Sequence, residues 1–187
     1  MFERGAAPAL GVIELSSIAR GFVVADAMLK RAQVALLQSR PVSPGKHVIV
    51  VAGAEEDVAQ AMAAGANAAG DALLDRLTLP GAHALIGPAV AGAVRAGALD
   101  SVGVVETATI ASTILAADAA CKAADVAIVE MRLAIGIGGK GFFTLTGSLA
   151  MIEAALAAAA CAIDAKLLVG RELIANPHED FGGKLLR

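Results

Sequence analysis

The segment Leu10 to Lys30, LGVIELSSIARGFVVADAMLK, returns 92 positions later as Val102 to Lys122, VGVVETATIASTILAADAACK. Gly11, Val12, Glu14, Ile18, Ala19, Ala25, Asp26, Ala27 and Lys30 meet identical residues, nine of 21, and most mismatches exchange one apolar residue for another. A shared excess of Ala explains the matched alanines, but not Gly, Glu, Asp and Lys in register. The 187-residue chain is therefore a tandem duplication, and two similar domains of roughly 90 residues are expected, 1–97 and 98–187. Domains that small bury a modest share of their surface, so the halves are expected to share an interface.

Apolar residues make up 57% of the chain and mean hydropathy is +0.71, yet Trp and Tyr are absent and Phe occurs five times. Much of the apolar fraction is Ala, which packs closely and contributes little transfer energy per residue. Such an excess of small apolar surface predicts an oligomer that buries more on assembly. No run reaches the roughly 18 strongly apolar residues needed to span a bilayer, and Ala154 to Ile163, the richest stretch, is flanked by Glu153 and Asp164. Met1 to Ala9 lacks the apolar core of a secretory signal, so a cytoplasmic location is expected. A net charge of −3, no basic run and few aromatics argue against nucleic acid as a partner. Cys121 and Cys161 stand without metal-ligand or disulfide spacing, and no metal site is encoded locally.

Leu10 to Leu15 reads as a strand, and Ser16 and Ser17 offer an N-cap to the helix that follows. Ile18, Phe22, Ala25 and Leu29 recur at helical spacing and predict one buried face, repeated as Ile110, Ile114, Ala117 and Cys121. A second strand, Val34 to Leu37, answers Val126 to Val129, with Arg40 and Arg132 beyond them. Loops Pro41 to Gly45 and Leu133 to Gly139 precede strands Lys46 to Val51 and Phe142 to Leu145. Second helices then present Val58, Met62, Gly65 and Ala69, and Ile152, Leu156, Ala159 and Ile163. Fourth strands are expected over 72–77 and 166–173, and a short helix within 81–100. The order β-α-β-β-α-β predicts an α+β fold with helices on one side of a mainly antiparallel, ferredoxin-like-related sheet of about four strands per copy.

Candidate chemistry is sparse. Gly136-Ile137-Gly138-Gly139-Lys140 ends a glycine-rich loop in lysine, but Ala134 and Gly141 occupy the first-glycine and hydroxyl positions of a phosphate-binding loop, and a strand follows instead of a helix. Asp26 and Asp118 precede Lys30 and Lys122 by four residues, the favourable spacing for helix-surface ion pairs. Glu14 and Glu106 are expected to hydrogen-bond at a subunit contact, since no His or nucleophile repeats beside them. His47 has no counterpart, and His83 and His178 lie in tails after Pro80 and Pro177. No catalytic arrangement emerges, so no enzyme is expected.

LGVIEL with DAMLK, VGVVET with DAACK, SPGKHVIVVAG, GGKGFFTLTG and the two Pro/His tails together resemble the bacterial microcompartment shell proteins, of the unpermuted tandem-domain, trimer-forming (BMC-T) type. The resemblance covers nearly the whole chain. It implies a homotrimer shaped as a flat pseudohexagonal tile, meeting other hexameric, trimeric and pentameric shell proteins around encapsulated enzymes. It also implies a central pore for metabolite or cofactor passage, with Ser43, Pro44, Gly45, Gly136, Ile137 and Gly138 lining it and Lys46, Gly139 and Lys140 beside it. Lys30 and Lys122 match the edge lysine by which tiles meet, and His83 and His178 belong to the same edges; the tails lack the Arg common there. Related proteins with Cys before Pro-Gly-Lys hold an iron–sulfur cluster; Ser43 stands there and lacks the soft thiolate, so no cluster or other cofactor is expected. Lys46 and Lys140 either focus positive potential on anions or pair with carboxylates at domain contacts. The rival reading is a duplicated α+β small-molecule-binding regulator.

Overall fold

In the computed structural model, which describes residues 8–94 and 99–181, the two copies fold alike. The first holds β1 (Ala9–Leu15), α1 (Ile18–Arg31), β2 (Ala35–Val42), β3 (Lys46–Gly53), α2 (Glu55–Ala69) and β4 (Leu73–Leu79). A short α3 (Ile86–Val90) follows, then β5 (Ser101–Thr107), α4 (Ile110–Ala123), β6 (Ala127–Leu133), β7 (Gly141–Gly147), α5 (Leu149–Cys161) and β8 (Leu168–Ile174). Each copy is an antiparallel four-stranded sheet, ordered β2-β3-β1-β4 and β6-β7-β5-β8, with its two longer helices packed on it. The chain divides into compact units 1–87 and 88–187. The boundary expected at 97/98 lies outside the described residues.

Local chemistry explains the elements. Ser17 caps α1 by accepting from the Arg20 amide (3.2 Å), while Ser16 Oγ donates to the Ala72 carbonyl (3.3 Å). In the second copy Thr109 and Ser112 satisfy each other's backbone amides in a capping box, so two orphan donors find acceptors at once. The repeated glycine at Gly11 and Gly103 lets a helix lie on the central strand: a Cβ there would stand 2.6 Å from Met62 Sδ and 2.9 Å from Ile152 Cγ2. Ile13, Leu15, Val24, Met28, Ile49, Val51, Val58 and Met62 close the first core.

Several expectations change. The buried stripe of α1 is Gly21, Val24, Ala25 and Met28; Ile18, Phe22 and Leu29, expected inside, are exposed. The domain covers only one side of an apolar surface wider than itself, and that side lies one position earlier. The corresponding α4 residues Ile110, Ile114, Ala117 and Cys121 are buried as expected. Val58, Met62, Gly65 and Ala69 all face the core, as do Ile152, Leu156 and Ala159, but Ile163 falls beyond the end of α5 and is half-buried. β2 runs on through Arg40 and Pro41 to Val42, and β6 through Arg132 to Leu133, because the edge strands stay paired until the turn itself. The first loop thus shrinks to Ser43–Gly45, while the second spans Ala134–Lys140.

Candidate functional site

The two β2–β3 and β6–β7 connections differ in length and build. In the first, a hydrogen bond from the Gly45 amide to the Val42 carbonyl (3.0 Å) closes a turn with Gly45 at φ 88°. In the second, Gly136, Gly138 and Gly139 take φ between 66° and 87°, and Ala134 sits at φ 60°. A left-handed Ala costs about 1–2 kcal/mol, and the bond from its amide to the Lys140 carbonyl (2.9 Å) holds it there. Ile135 projects from this loop into solvent. No helix follows either loop, so the glycine run is a turn between strands rather than a phosphate cradle.

The lysine at the base of each loop is paired within its own domain. Lys46 Nζ lies 3.5 Å from Glu14 and Lys140 Nζ 2.8 Å from Glu106, each reaching across the face of its sheet to the central strand. Carboxylate pairing is observed, but within each domain rather than at the domain contacts expected, and it engages Glu14 and Glu106 there. Beside them the copies differ: Glu130 pairs with Arg132, which lies over the Phe142 ring, whereas Gln38 takes the place of Glu130 two residues before Arg40, and the Arg40 Nε has no hydrogen-bond partner. Burial lowers the Arg40 pKa from its ordinary value.

Asp26–Lys30 and Asp118–Lys122 form the expected i,i+4 pairs, each at 2.6 Å. Their settings differ, since the Asp26 side chain is 59% exposed and that of Asp118 5%. His83 Nδ1 accepts from the Leu85 amide (3.3 Å) and His178 Nδ1 from the Asp180 amide (3.2 Å), so each histidine orders the turn that follows its tail. No group of three or more potential metal ligands occurs among the described residues, and no helix there is long and apolar enough to cross a membrane.

Two features escaped sequence reasoning. One is the unequal cover of the repeat: α4 buries ten of its 14 residues and α1 four. Phe22 is 63% exposed where Ile114 is fully enclosed, and Val23, Ile18 and Leu29 extend the open face. The inequality reverses on the sheets, where the Glu14 side chain is 2% exposed and that of Glu106 41%. The other feature is His47, fully buried, with Nε2 2.9 Å from Ser39 Oγ and its ring 5.3 Å from that of Phe22. A Cβ on Gly21 would fall 2.2 Å from the imidazole. At the matching place the second copy has Thr113 against Gly141, so bulk has moved from strand to helix. That reciprocal exchange was the available clue.

A BMC domain model matches residues 9–82 and again 101–177, which together take in both sheets and all four long helices. The chain belongs to the BMC-domain family of bacterial microcompartment shell proteins. It is 42% identical over 174 residues to the bacterial microcompartment shell protein PduT of Citrobacter freundii, covering 92% of this chain and 95% of that one. A crystal structure of a microcompartment protein from Desulfitobacterium hafniense superposes with a TM-score of 0.90 at 41% identity, covering 94% and 98% of the two chains. A fused permuted hexameric shell protein of the RMM microcompartment, 24% identical with a TM-score of 0.61 over 87% and 86%, shares the fold. This BMC-domain chain is a tandem, structural member of its family, not an enzyme.

Proposed function

We propose that the chain is a homotrimeric, pseudohexagonal tile of a microcompartment shell with a small pore on its three-fold axis. The observation that carries this reading is the unequal cover of the two copies. In the first, the helix face is open and the sheet carboxylate enclosed; in the second, the helix face is enclosed and the carboxylate open. Two different patches left open on one chain suit a head-to-tail contact, and such contacts close into rings when the rotation per step divides a full turn. Three chains of two similar domains make six near-equivalent positions.

Ser43, Pro44 and Gly45 would then alternate around the axis with Gly136, Ile137 and Gly138, and unequal loops make the opening three-fold. Lys46, Gly139 and Lys140 lie behind them, with both lysines held by carboxylates rather than free to steer anions. The Ser43 hydroxyl suits passage of small metabolites rather than an iron–sulfur cluster. Lys30, Lys122, His83 and His178 would sit at the rim, where tiles meet other hexameric, trimeric and pentameric shell proteins. Light scattering followed by negative-stain imaging at rising concentration tests the reading. Trimers that grow into flat sheets are expected; a monomer or dimer without lateral assembly overturns it in favour of a ligand-binding regulator.

A further inference from the structure

We infer that His47 makes the seam between chains acid-sensitive, because the aromatic residue at the middle of the open α1 face stands on a buried imidazole with one unpartnered ring nitrogen. This rests on the trimer reading. Phe22 is both the most exposed large apolar residue of that face and the ring in contact with His47. His47 itself is fully buried, and its Nδ1 has no partner.

The surroundings of the ring favour its neutral form. From α1 it meets Gly21 and Phe22, from β1 Leu15, and from β2 Pro41 and the Ser39 hydroxyl. Its strand neighbours Lys46 and Val48 project to the opposite face, where Lys46 meets Glu14. No carboxylate acts on it, and burial alone depresses its pKa. A proton added to Nδ1 needs water, and on the helix side Phe22 stands between ring and solvent. Seating a second copy on Phe22 removes that water, so assembly favours the neutral ring and, by linkage, protonation favours the separated chains.

The equivalent site in the second copy cannot respond in this way. There Thr113 Oγ1 bonds Thr107 Oγ1 (2.7 Å) and the Thr109 carbonyl (2.8 Å), and Gly141 replaces the imidazole. Acid therefore acts on the α1 face alone. The sign is that of a base with a depressed pKa. Assembly is at full strength above the pKa of His47 in the separated chain, which burial already holds below the ordinary value of about 6.5, and weakens as pH falls through it.

The test transplants the second copy's chemistry: Gly21→Thr with His47→Gly, whose new hydroxyl can reach the Ser17 carbonyl as Thr113 reaches that of Thr109. Sedimentation between pH 7.5 and 5.5, with circular dichroism to follow folding, compares it with the natural protein. The natural trimer is expected to dissociate into folded chains with an apparent dissociation constant raised about tenfold for each unit by which assembly lowers the histidine pKa. The transplanted variant is expected to hold its mass throughout. Should that variant not fold, His47→Gln removes the titration while keeping a polar atom near Ser39. Equal acid sensitivity of natural protein and variant, or an unchanged natural trimer at pH 5.5, overturns the inference. A natural protein that is no trimer at pH 7.5 overturns the tile reading instead.

Discussion

Gly21 and Cys121 show how much one position depends on its partner across the domain. The Gly21 Cα leaves no room for a methyl, since three imidazole atoms of His47 lie 2.2 to 2.7 Å from where a Cβ would be. Gly21→Ala should therefore lower stability by about 1–3 kcal/mol, the usual cost of overpacking. Most of that loss should return in Gly21→Ala/His47→Gly, and a denaturation series of the two variants checks the coupling. Cys121 occupies the Leu29 position of the repeat as a core residue, and burial with the nearby Asp118 charge pushes its thiol up to about 12. The thiolate is the reactive form, so at pH 8 a thiol reagent should modify the exposed Cys161 and spare Cys121 until the protein unfolds. Mass spectrometry of native and denatured samples reads one adduct against two.

Elements were legible where the cause is local. The first N-cap could be read because Ser16 and Ser17 precede an apolar period, and Ser17 is the residue that caps; Thr109 does the same at the matching place in the second copy. Thr109→Ala should cost more than Ser17→Ala, within the roughly 0.5–2 kcal/mol range of cap losses, because Thr109 also shares a hydroxyl bond with Ser112 (2.8 Å). Separate thermal melts measure the difference. The succession of strands and helices along the chain, the mainly antiparallel sheets and the Lys–Asp helix pairs were equally readable, since each follows from a pattern or spacing that both copies repeat, whereas the order of strands within each sheet was not. The buried stripe of α1 was not. Periodicity marks every apolar residue on a helix without saying what covers it, so Ile18, Phe22 and Leu29 read as core although their own domain leaves them open. The loop-base lysines were half legible: their position was clear, but pairing with Glu14 and Glu106 depends on strand register, which places Glu14 opposite Val48 and Glu106 opposite Phe142.

For the whole molecule, duplication gives one position two opposite duties, and this separates folding from assembly. Ile114 is fully enclosed, so Ile114→Gln would bury an amide without partners and remove apolar contact, a loss of about 3 kcal/mol or more. Its counterpart Phe22 is 63% exposed in the single chain, and Phe22→Gln should move folding stability by no more than about 1 kcal/mol. Inside a seam the same change forfeits the burial of an aromatic side chain, worth about 1.5–3 kcal/mol per contact, or at least tenfold in affinity. Light scattering and a thermal melt on both variants therefore have crossed outcomes. Phe22→Gln should melt normally and lose trimer mass on dilution, whereas Ile114→Gln should melt early. If Phe22→Gln keeps its trimers at every concentration where the natural protein does, the α1 face is not the seam, and the tile would have to close through another surface.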